Sequence, residues 1–222
     1  MYRTPKHAFT LIELLVVISI ISLLISILLP ALTSARASSR MIQCQSNQRQ
    51  LAIANEVYAN DYDDTYVPVK TAGGGGVYRP WLWNSYYMTD LVGLEPVLPQ
   101  PGLICPDRPD DAFHSYGWNH QDAPVPDGWF SHIEINRLNI KNPSQKLFIA
   151  DATDWHLTKS MANYTIRWDV TGEYYPISVA YRHFIDIVNI VYADLHAGNL
   201  EKSATWDDPI ERDQLWHLYD NY

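Results

Sequence analysis

Residues 11–29 read LIELLVVISIISLLISILL, nineteen positions with one charge, Glu13, and three serines. At about 1.5 Å per residue such a helix covers about 28 Å, close to the thickness of a bilayer's hydrocarbon. Beyond Pro30 polar positions return. Apolar residues recur at helical spacing through Leu32, Ala35, Met41, Ile42, Leu51, Ala52, Ile53, Val57 and Tyr58, with Gln, Asn and Arg between them. The pattern predicts one helix of about fifty residues, about 75 Å by rise. Pro30 predicts a kink or a locally melted turn rather than a stop, because it lacks an N–H for the preceding turn. The first half of the helix suits lipid. The second half suits a position under a globular domain.

Downstream, strand patterns fall at 146–150, 164–168, 187–193 and 198–202. The last two flank Asp194-Leu195-His196-Ala197, a hairpin candidate. Gly73–Gly76 reads as a flexible loop and lacks the Lys-Ser/Thr of a phosphate-binding loop. Residues 94–110 carry Pro96, Pro99, Pro101, Pro106 and Pro109, a signal for extended, irregular chain. The fold class is α+β: a long kinked N-terminal helix, transmembrane in its first half, against a small antiparallel sheet with long aromatic loops.

Charge narrows the partners. The 222 residues hold 16 Lys+Arg against 25 Asp+Glu, a net charge of −9. Without residues 1–8, which include Arg3 and Lys6, the balance is 14 against 25, or −11. That surface repels phosphate backbones, so nucleic acid is not an expected partner. The two cysteines, Cys44 and Cys105, are expected to pair if the domain lies on an oxidising side; the alternative is two separate buried thiols. A metal site would need more ligands than these two.

The basic start MYRTPKHA before the apolar run allows three readings: secretory signal, plain anchor, or a cleaved leader of another kind. Small residues beyond Pro30 keep the first open. A plain anchor leaves Glu13 unexplained, since an unpaired carboxylate inside lipid costs about 2.5–3.5 kcal/mol or more. Arg3 and Lys6 precede the span and Arg36, Arg40 and Arg49 follow it, so basic residues alone do not set its orientation.

The stretch Ala8-Phe9-Thr10-Leu11-Ile12-Glu13-Leu14-Leu15 resembles the cleavage and methylation signal of type IV pilins and type II secretion pseudopilins. The resemblance implies cleavage between Ala8 and Phe9 by a prepilin peptidase, with Ala8 where the family usually has Gly. It implies N-methylation of Phe9, and an assembly role for Glu13, whose carboxylate would meet the Phe9 amine of a neighbouring subunit. Each charge is costly alone in lipid and tolerable as a pair. Further along, Cys44-x-x-Asn47-x-x-Gln50-Leu51, Tyr58-Ala59-Asn60-Asp61, Cys105-Pro106, Ser115-Tyr116-Gly117-Trp118-Asn119, Arg182-His183 and Ala193-Asp194-Leu195-His196 resemble a subgroup with a C-terminal H-x9-DG-like motif. Here Leu195 stands where that motif has Gly.

What the resemblance implies is a leader (1–8), a membrane and filament-core helix (9–30), its amphipathic continuation (31–60) and an extracytoplasmic domain (61–222). The implied protein is a structural subunit of a type IV pilus or a secretion pseudopilus, not an enzyme. It would sit in the bacterial inner membrane with its N-terminus cytoplasmic, and its partners would be prepilin peptidase and other pilin or pseudopilin subunits. The alternative is an anchored or filament-tip binder that holds a glycan or a secreted substrate through aromatic loops.

No cofactor is expected. Asp61, Asp63 and Asp64 with Asn60 offer oxygens for Ca²⁺, but Asp and Asn also simply end helices. His183, Asp194 and His196 would suit Zn²⁺ if a hairpin brought them together; the plainer reading is a turn-stabilising network. Asp151 and Asp154 could form a glycosidase pair, although spacing in sequence does not give separation in space. The eight tryptophans could stack on sugars or fill the core.

Overall fold

The computed structural model describes residues 10–72, 78–95, 104–107, 115–119, 134–152, 156–157, 179–184 and 187–201. The chain divides into two compact units, residues 1–39 and 40–222. Helix α1, Leu11–Asp61, contributes to both. Its 51 residues match the length that the apolar run and its periodic continuation predict.

In the first unit the side chains from Leu11 to Arg36 are exposed, including every apolar one. By length and composition this stretch is apolar enough to cross a membrane. Three of its hydroxyls are bonded within the helix. Ser19 Oγ donates to the Leu15 and Val16 carbonyls, Ser26 Oγ to Leu23 O and Thr33 Oγ1 to Leu29 O. That back-bonding lets a hydroxyl sit in hydrocarbon without an orphan donor. Pro30 lies inside α1 and the helix continues on both sides of it, so no turn is melted there.

In the second unit α1 turns amphipathic. Cys44, Asn47, Gln48, Leu51, Ala52, Ala54, Asn55, Tyr58 and Ala59 are buried, a stripe at steps of three and four. Strands β1 (Lys70–Ala72) and β2 (Tyr78–Pro80) form a separate antiparallel pair. The main sheet is built from β3 (Tyr116–Asn119), β4 (Leu147–Asp151), β5 (His156–Leu157), β6 (Ile187–Tyr192) and β7 (Ala197–Glu201). Its order is β5-β3-β4-β6-β7; β3, β4, β6 and β7 pair antiparallel, and short β5 adds in parallel to β3. Three of the expected strands are β4, β6 and β7, each within two residues of its expected ends. The candidate at 164–168 lies outside the described residues, as does the Gly73–Gly76 loop.

The sheet meets α1 through an aromatic core. Trp118 contacts Phe148 edge-on at 4.9 Å between centroids, with Trp81 at 5.5 Å and Tyr87 at 6.0 Å. Leu51, Ala52 and Cys44 of the helix join the same cluster. A second cluster holds Leu147, Ala150, Leu157, Val188 and Ile190. β4 feeds both clusters, which is why all five of its residues are buried. Trp81 and Trp118 therefore serve the core, while Trp83 is exposed. The other five tryptophans lie outside the described residues.

Candidate functional site

The start of α1 is capped by its own sequence. Thr10 donates from N and from Oγ1 to Glu13 Oε2, both at 2.8 Å, and Glu13 N donates back to Thr10 Oγ1 at 3.3 Å. This reciprocal pair is a capping box, Thr-x-x-Glu. It gives the lone carboxylate of the apolar run two donors within its own chain. Ala8 and Phe9, the expected cleavage and methylation positions, lie outside the described residues.

A second node is buried under the sheet. The Cys44–Cys105 disulfide joins α1 to the segment before β3, with Cα atoms 5.0 Å apart. Both cysteines are fully buried. His183 lies beside them, its Nε2 3.8 Å from Cys105 Sγ and 3.1 Å from Asp151 Oδ2. Its Nδ1 is 2.9 Å from Asp107 Oδ2, and Arg40 Nε donates to the other Asp107 oxygen. Asp151 is also held by Gln48 Nε2 at 2.9 Å and by the Asn189 N–H at 3.0 Å. Burial pulls the His183 pKa down, but hydrogen bonds and charge from Asp151 and then Asp107 outweigh it, and the net shift is upward.

The structure answers three points that the sequence raises. His183, Asp194 and His196 do not converge. His183 precedes β6 and Asp194 follows it, so a six-residue strand separates them, about 17 Å at 3.3 Å per residue. Asp194 and His196 pair instead with each other across the β6–β7 turn, and His196 stacks on Tyr192 at 4.0 Å. Burial raises the Asp194 pKa, but the side-chain and backbone hydrogen bonds of His196 hold it below the ordinary value. Second, Leu195 makes the turn that Gly would ease: it adopts φ 71° and its N–H reaches Tyr192 O at 2.9 Å. A left-handed Leu costs about 1–2 kcal/mol, and contact of its side chain with the main core offsets part of that. Third, Asp151 is fully buried and bonded on both oxygens, which does not suit a glycosidase carboxylate facing substrate. Asp154 lies outside the described residues.

The carboxylates at the end of α1 go to separate protein partners. Tyr86 OH donates to Asp61 Oδ2 at 2.6 Å, which pushes the Tyr86 hydroxyl up to about 12. Arg137 binds Asp64 Oδ1, Glu56 Oε2 at 2.9 Å and Asn60 Oδ1 at 2.9 Å. Asp63 and Asp64 turn the chain with φ of 49° and 58°. Among the described residues, the carboxylate, imidazole and sulfur ligand atoms that gather in a group of three or more are those of Cys44, Cys105, Asp151 and His183.

A family model described as the prokaryotic N-terminal methylation motif matches residues 3–29. The match spans the basic start, the Phe9 junction, Glu13 and the apolar run. It points to a prepilin-like substrate of prepilin peptidase, a structural subunit rather than an enzyme. No curated protein and no solved structure matches the chain. The motif, the exposed apolar helix and the small α+β domain fit an inner-membrane-anchored, pilin-like protein that assembles with other pilin subunits.

Sequence reasoning missed two features of these sites. The capping box was readable as Thr10-x-x-Glu13. The node around His183 was not, because its members lie at positions 40, 44, 105, 107, 151 and 183 and no local spacing links them.

Proposed function

We propose that the chain is a structural subunit of a type IV pilus or type II secretion pseudopilus, assembled through its N-terminal helix. The observation that carries this reading is the methylation motif over residues 3–29, with Glu13 as the one carboxylate of the apolar, exposed stretch 11–29. Cleavage after Ala8 frees the Phe9 amine. In the membrane Glu13 stays tolerable because Thr10 donates twice to it. In the filament its carboxylate takes the methylated Phe9 amine of a neighbour, and the apolar segments leave lipid for a helical core. The N-terminus is cytoplasmic and the domain periplasmic or extracellular, the side on which the Cys44–Cys105 bond persists. On this reading the chain falls in the H-x9-DG-like subgroup, which the resemblance of Arg182-His183 and Ala193-Asp194-Leu195-His196 to that motif supports.

Glu13→Ala tests the mechanism. The variant should be cleaved and N-methylated normally, as read by mass spectrometry of the mature N-terminus, and should be missing from sheared filaments. Normal filaments built from Glu13→Ala would sink the proposal. The binder reading loses two of its aromatic platforms, since Trp81 and Trp118 are consumed by the core.

A further inference from the structure

We propose that Cys44, Cys105, Asp151 and His183 form a tetrahedral zinc site when the Cys44–Cys105 bond is reduced. The site is a crosslink in one redox state and a metal centre in the other. The inference stands whether or not the chain is a filament subunit.

All four residues are buried, and their ligand atoms lie within 4.8 Å of one another. Bonds to zinc of about 2.0–2.3 Å at tetrahedral angles place neighbouring ligand atoms about 3.3–3.8 Å apart. His183 Nε2 already stands 3.8 Å from Cys105 Sγ and 3.1 Å from Asp151 Oδ2. Once the S–S bond opens, each sulfur can swing about its own Cα–Cβ bond to the wider spacing. Two thiolates, one imidazole and one carboxylate make a donor set that zinc favours.

The surroundings resemble those of a metal-bound imidazole. A ligating histidine donates its other ring N–H to a carboxylate, which fixes its tautomer and its orientation. Asp107 occupies that place at 2.9 Å from His183 Nδ1, and Arg40 braces it. A separate observation comes from the amides around Asp151. Gln48 Oε1 and Asn189 Oδ1 are buried acceptors with no hydrogen-bond partner. Gln48 holds Asp151 through its side-chain amide, so its unpartnered oxygen leaves uncompensated negative potential next to that carboxylate, which a cation would offset; Asn189 holds Asp151 through its backbone N–H, and its side-chain amide donates to Met41 O.

The chemistry balances. A phosphine reductant and one water convert the disulfide to two thiols and become the phosphine oxide. Zinc then displaces the two thiol protons, and the Nε2 proton of His183 where it is present, to solvent. Reoxidation by a two-electron oxidant restores the S–S bond and expels the metal, because bonded sulfurs are no longer thiolates.

The test uses the full chain in detergent, reduced with a phosphine, with free thiols counted before metal is added. Zinc or cobalt(II) is supplied and the excess removed. The reduced chain should hold one equivalent and show a thiolate-to-cobalt charge-transfer band, whereas the oxidised chain should hold none. The paired Cys44→Ser and Cys105→Ser variant should lose the band and the metal. Asp107→Asn, which touches no metal, should weaken affinity about 10–100-fold. The proposal is overturned by a fully reduced chain that takes up no metal, by uptake that survives the paired serine variant, or by a reduced chain that stays unfolded with metal present.

Discussion

Arg137→Ala should destabilise the domain by about 2 kcal/mol, and its parts follow from geometry. Helix α1 has no basic residue in its last turn. Its C-terminal carbonyls carry partial negative charge, and a cation there contributes about 0.3–1 kcal/mol. Arg137 is that cation, brought from outside the helix; it contacts Glu56 and Asp64 while keeping 24% of its side-chain surface exposed. Each such partly exposed ion pair is worth about 0.2–1 kcal/mol after solvent screening. Two pairs and the helix terminus sum to about 1–3 kcal/mol. For a domain of this size that is a fall in Tm of about 4–8 °C. Thermal unfolding of wild type and variant at low and high salt is the assay, and the difference should shrink as salt rises. Arg137→Lys keeps the charge but not the planar fork, so it should recover about half. The same clamp predicts that millimolar Ca²⁺ leaves the wild-type Tm unchanged, since Asp64 already has its cation. A Tm difference below about 1 °C for Arg137→Ala, or one indifferent to salt, refutes the reasoning.

Two further outcomes can be checked. Replacing Cys44 and Cys105 together by Ala opens a link with a sequence separation of 61; urea unfolding should register a loss of about 4 kcal/mol, and a loss under about 1 kcal/mol contradicts the loop-entropy account. The Asp194–His196 pair predicts a pH effect of definite sign: because the folded Asp194 pKa lies below 3.8, its contribution is present above that value and lost as pH falls through the folded pKa. Asp194→Asn should therefore lower Tm slightly at neutral pH and not at strongly acid pH, and an opposite trend counts against the pairing.

The helix was the most legible element, because nineteen apolar positions followed by a three-and-four repeat admit few other readings. Strands β4 and β6 showed through their Ile, Val and Phe content, and β7, Ala-Gly-Asn-Leu-Glu, as the second arm of the hairpin after β6. β3 did not: Tyr116-Gly117-Trp118-Asn119 is four residues long, contains Gly, and is buried throughout, so no alternation marks it. Glu13 was legible as a charge in the wrong solvent, and its local partner Thr10 stands three residues before it as an ordinary polar residue at the edge of the apolar run. His183 was legible as a candidate and misassigned in its company. A hairpin suggested Asp194 and His196 as its companions, yet β6 lies between His183 and Asp194 and sends the two ends apart. The true companions come from α1, from the segment before β3, and from the end of β4.

The disulfide also determines where mechanical load goes. A pull transmitted along α1 passes Arg40 and Met41, which contact Asp107 and Asn189, and then reaches Cys44 before Asn47, Gln48 or Leu51, which hold the helix to the sheet by hydrogen bonds and packing. At that point tension divides into a covalent branch through Cys105, whose N–H is anchored on Ser115 Oγ at 3.1 Å. The weaker contacts beyond Cys44 are thus shielded from peeling one at a time. Ser115 leads directly into β3, so the force enters the sheet at an interior strand, between β5 and β4, rather than at the β7 edge.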